Sequence, residues 1–60
     1  MEDLTEAEHL VKAAEFDERA RTTLFPEIAA GCRTIADSHR TMARIVALKA
    51  RLAADPLVPI

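Results

Sequence analysis

The sequence predicts an all-α fold built as an antiparallel pair of helices, and three features carry that prediction. There is a single glycine in a 60-residue chain that is half apolar, a helix-start signature at Thr5, and a long run of apolar side chains spaced alternately by four and three. Strands and β-turns would call for more glycine, β-branched and aromatic residues than this chain contains. Sixty residues allow one structural unit, taken here as residues 1–60.

Helix 1 is expected over about residues 4–22. Thr5 and Glu8 form an S/T-x-x-E capping box, and Glu6 and Glu8 put negative charge at the positive end of the helix dipole. The helix continues through Leu10, Val11, Ala14, Phe16 and Ala20, with Glu8/Lys12 and Glu15/Arg19 as i,i+4 pairs on its outer side. Asp17 and Arg21, on the inward arc, make a further i,i+4 pair that bridges locally or faces another chain. Thr22 and Thr23 are weak helix formers, and Phe25 precedes a proline, which disfavours the helical region for it. Pro26 and Glu27 suit the first turn of a new helix. The competing geometry is one long helix kinked at Pro26.

Helix 2, about residues 26–54, has the strongest pattern. Ile28, Cys32, Ile35, His39, Met42, Val46, Lys49 and Ala53 follow the 4-3 rhythm of a packed seam, interrupted only by His39 and Lys49. Beside it Ala29, Ala36, Ala43 and Ala50 recur every seventh residue, a column of small side chains that invites close helix approach. Ile45, Leu48 and Leu52 fall on another side again. One partner helix cannot cover all of these surfaces, so the hairpin is expected to dimerise into a four-helix bundle. The candidate interface is Ile35, His39, Met42, Ala43, Val46, Leu48 and Leu52. Asp55-Pro56 ends the helix, and residues 55–60 form an apolar tail expected to be extended, to fold back, or to dock on a partner.

Small chains usually need a disulfide, a metal or association to offset the entropy of ordering. Cys32 is the lone cysteine, so an intrachain disulfide is excluded and association is favoured. The lone thiol, an acidic N-terminus unlike a secretory leader, and the lack of a membrane-spanning apolar run lead to an expected cytoplasmic location. Residues 1–25 hold seven acids and three bases, residues 26–60 three acids and five bases. This charge complementarity favours packing one half against the other.

Chemistry-bearing patterns are sparse. Glu6 and His9 have the Glu-x-x-His spacing of di-iron bundles. In a hairpin turning near residue 24 or 25, paired positions sum to about 48–50, which brings His39 level with His9. A metal site of Glu6, His9 and His39 is thus one alternative function, short of ligands for iron and marginal for zinc; the plainer reading makes His9 a surface residue. His39 within the seam is expected to donate to a carbonyl or set register, or else to act as a pH-sensitive interface group. Arg33, Arg40, Arg44 and Arg51 form a basic stripe that can track phosphates, which gives a nucleic-acid-associated protein as a second alternative. An acidic overall charge and the lack of aromatic base platforms weigh against it, and a solvated face or an acidic protein partner fits better. Cys32 reads as a core thiol more readily than as a nucleophile. No catalytic triad, phosphate loop or cofactor fingerprint is present. The expected function is therefore non-enzymatic: a small adaptor, regulatory or accessory subunit that pairs with itself and with another protein, with no cofactor. Neither a membrane nor a small molecule is an expected partner.

Overall fold

The computed structural model describes residues 4–54 and consists there of two helices packed against each other, α1 (Glu6–Thr22) and α2 (Pro26–Ala54). Residues 55–60, and with them the expected tail, lie outside the described residues. Helix α1 begins where its capping box places it. Thr5 is the extended N-cap, its hydroxyl accepts from the Glu8 N–H at 3.1 Å, and the Glu8 carboxylate accepts from the Thr5 N–H at 2.8 Å. Two of the N–H groups that a helix start leaves without partners are thereby satisfied.

The chain turns through residues 23–25. Thr23 leaves helical geometry with its N–H still donating to the Arg19 carbonyl, and its hydroxyl accepts from the Phe25 N–H. Pro26 then opens α2, where its missing N–H costs nothing, and the Phe25 carbonyl accepts the first helical bond from Ala29. Two separate helices therefore form, in place of one kinked helix. Within α2, the hydroxyls of Thr34 and Ser38 donate back to the carbonyls of Ala30 and Thr34, one turn earlier, which satisfies them without leaving the helix.

The stripe that α2 turns toward α1 differs from the predicted seam by one residue at every second position. Ala29, Cys32, Ala36 and Ala43 are buried, while Ile28, Ile35 and Met42 remain exposed. The two stripes share Cys32 and His39, but the contact takes each alanine in place of the larger neighbour that precedes it. Small side chains let the helix axes approach toward the short end of the roughly 8–10 Å range, and branched or long ones hold them apart. On α1 the buried stripe is His9, Ala13 and Ala20, with Phe16 half-buried beside Ala20, Ala29 and Cys32. Ala50 of the alanine column and Ala53 of the seam are exposed.

Ion pairing also departs from the i,i+4 expectation. Lys12 pairs with Glu15 at 3.3 Å and Arg21 with Glu18, both at i,i+3. Glu8 is occupied by the cap, and Arg19 lies over the Phe16 ring, 5.3 Å from its centroid. Asp17 turns away from Arg21 and crosses to Arg40 of α2.

Hydrogen bonds from Thr5, first its backbone N–H and then its hydroxyl, hold the Glu8 carboxyl below the ordinary glutamate value, with His9 adding a smaller attraction. A carboxyl whose pKa is lower folded than unfolded stabilises the helix above the ordinary value and loses that contribution as pH falls through the lower one. Glu8→Gln keeps a capping-box side chain but cannot titrate. Its helicity, followed by circular dichroism during acid titration, is expected to fall less steeply than that of the parent. Superimposable acid limbs would remove Glu8 from the acid response.

Candidate functional site

Helix α1 presents His9, Ala13, Phe16 and Ala20 at 4-3-4 spacing. Helix α2 answers with Ala29, Cys32, Ala36, His39 and Ala43 at 3-4-3-4. Both stripes are interrupted at a histidine, and the antiparallel register brings the two interruptions together. His9 Nδ1 and His39 Nδ1 are 2.9 Å apart, with ring centroids separated by 5.1 Å and planes tilted by 39°. One Nδ1–H donates to the bare Nδ1 of the other ring, so one of the two Nδ1 atoms carries a proton and the other does not. No buried side-chain nitrogen or oxygen among the described residues lacks a partner.

This geometry overturns the reading of His9 as a surface residue. It is 4% exposed, the only buried polar side chain described, and its ring is covered because it stands in line with Ala13 and Ala20 on the inward face. His39 is half-buried, and Phe16 stacks against it with ring centroids 6.1 Å apart and planes 16° apart. Arg19, Phe16, His39 and His9 thus form a continuous stack across one edge of the hairpin. The same edge carries Ile28, Ile35 and Met42, each two helical turns from the next.

The opposite edge is polar. Arg40 reaches both Asp17 and, at 2.8 Å, Asp37. It is half-buried and committed to acidic neighbours. Arg44 and Arg51 line a shallow open groove with Glu6, Leu10, Ala43, Ala47 and Leu48, and Arg33 is exposed. The basic stripe is consequently uneven, with one member engaged inside the hairpin. Glu6 stands on this arginine side, and among the described residues no three metal-ligating groups assemble. The structure therefore joins His9 to His39 and leaves Glu6 apart.

Among the remaining expected interface residues, Ala43 is buried against α1, Val46 is half-buried, and Leu48 and Leu52 are exposed, as is Ile45 near them. From Leu48 to Ala54 every residue is exposed. Helix α2 has 29 residues and α1 has 17, so the last turns of α2 have little of α1 beside them. Cys32 is a free thiol buried with Ala20 and Ala29, a setting that shields it from reaction. No described helix is long and apolar enough to cross a membrane. Comparison with protein families, curated proteins and solved structures finds no match for this chain.

Proposed function

We propose that the chain is a self-associating helical module in the cytoplasm, pairing through α2 into a four-helix bundle that serves as an adaptor or accessory subunit without chemistry of its own. One observation carries this reading. The buried apolar residues described are five alanines and a cysteine, while Ile28, Ile35, Met42, Ile45, Leu48 and Leu52 stand exposed. An alanine core removes little apolar surface from water, and burial of large side chains is what offsets chain entropy in so small a unit.

A second copy is the occupant that best fits the exposed edge. Ile28, Ile35 and Met42 are spaced by seven residues, the repeat by which helices supercoil about one another. A twofold axis sets such an edge against itself, apolar on apolar, and turns both arginine edges outward. Light scattering after size exclusion, on the untagged chain in chelator, is expected to give twice the 6.6 kDa chain mass, with a melting temperature that rises with concentration. A helical monomer whose melting temperature is independent of concentration would overturn the reading.

A further inference from the structure

We propose that the groove on the arginine edge of the hairpin is a docking site for an acidic amphipathic helix of another protein. Its floor is apolar, made by Leu10 of α1 and by Ala43, Ala47 and Leu48 of α2, and the two leucines are 48% and 53% exposed. Arg44 and Arg51 stand along it. Helix α1 shows how this row is met by a facing helix. Its Asp17 crosses to Arg40, the preceding arginine of the row, while Ala20 and Phe16 pack on α2 alongside. Where His9 meets His39, α1 is within a turn of its start, so α2 runs on past it carrying Arg44 and Arg51. Among the described residues neither of these makes an ion pair. A helix that sets leucines on the floor and carboxylates against the two guanidiniums repeats the arrangement α1 already uses. The two arginines are about 10 Å apart along the axis, so acids spaced seven residues apart on the incoming helix reach both.

Other occupants fit this chemistry less well. A second copy laid across a twofold axis sets arginine against arginine. Nucleic acid has no use for an apolar floor, and the chain's two phenylalanines, which could stack bases, stand on the other edge and at the turn. A phosphate backbone or an anionic membrane also meets the Glu6 carboxylate at the groove wall and a net charge of −2, whereas a helix can place an uncharged side chain opposite Glu6. Exposed ion pairs contribute little affinity, so the apolar floor holds the partner and the arginines select and orient it. The groove is complete within one chain, so the inference does not rest on pairing.

The test is fluorescence anisotropy of the untagged full chain with a labelled, capped peptide helix of about 21 residues, long enough to hold helical structure. The peptide carries leucine at positions a and d of each heptad and glutamate at e, and a second peptide carries lysine at e. The parent is expected to bind the glutamate peptide at least tenfold more tightly than the lysine peptide. Arg44→Glu combined with Arg51→Glu is expected to reverse that order, a result that simple misfolding cannot produce. No binding of the glutamate peptide, equal affinity for the two peptides, or an order unchanged in the variant would each overturn the site. Tighter binding of a DNA duplex or of phosphatidylserine vesicles than of the glutamate peptide would overturn it too. Light scattering separates the groove from the pairing, since the arginine variant is expected to keep the parent's mass. A variant that loses mass would assign the groove to a second copy and overturn the proposal, while a monomeric parent that still prefers the glutamate peptide would overturn the pairing and leave the groove standing.

Discussion

Ala36→Leu is expected to cost about 1–3 kcal/mol by overpacking, which for a domain this small lowers the melting temperature by roughly 5–20 °C. Ala36 is fully buried and Ala13 of α1 nearly so, so at this level both helices meet the contact with a side chain that ends at Cβ. A leucine there has three more carbons and no void to receive them. Separation of the helices would also lengthen the His9–His39 hydrogen bond and the Asp17–Arg40 contact, which are spaced along the same interface. Ala50→Leu is the matched control, in the same seven-residue column but exposed, and is expected to melt within a few degrees of the parent. Thermal melts of the three chains at one concentration decide the matter. Equal loss in both variants would mean that leucine disturbs the helix itself, and no loss in either would mean that α1 and α2 do not meet on alanine.

The ends of the helices were legible because local chemistry dictates them: the Thr5/Glu8 box, the residue before Pro26, and Pro26 itself. The level pairing of His9 with His39 followed from loop position alone. The rotation of α2 was not legible. Ile28, Ile35 and Met42 have the same period as Ala29, Ala36 and Ala43, one residue later, and hydrophobicity ranks the larger set first. Packing reverses that order, since a two-helix contact is limited by axis separation and favours the smaller set. The burial of His9 had a signal, its 4-3-4 spacing with Ala13, Phe16 and Ala20, but the polar character of histidine argued the other way. The Asp17–Arg40 bridge spans 23 residues, beyond what i,i+4 reasoning within one helix can find.

Ile35→Glu combined with Met42→Glu is expected to separate the paired hairpins into single chains. In the hairpin itself the two side chains are already 42% and 48% exposed, so carboxylates there cost the α1–α2 contact little. In a dry seam between two copies, each carboxylate loses hydration without a partner, and a twofold axis sets four of them against one another. A penalty of about 4 kcal/mol, modest for such a burial, corresponds to a thousandfold weaker association. The measured mass is then expected to fall to that of one chain, and the melting temperature to lose its dependence on concentration. Helicity is expected to fall as well, because the lone hairpin retains only its alanine core. Leu48→Glu with Leu52→Glu separates the two exposed surfaces of α2. Its substitutions lie where α2 has little of α1 beside it, and they leave the Ile28, Ile35 and Met42 edge unchanged. If that variant alone dissociates, pairing uses the free end of α2 and the edge beside His39 stays open to solvent; if the Ile35/Met42 variant alone dissociates, the edge is the seam and His39 sits at its rim.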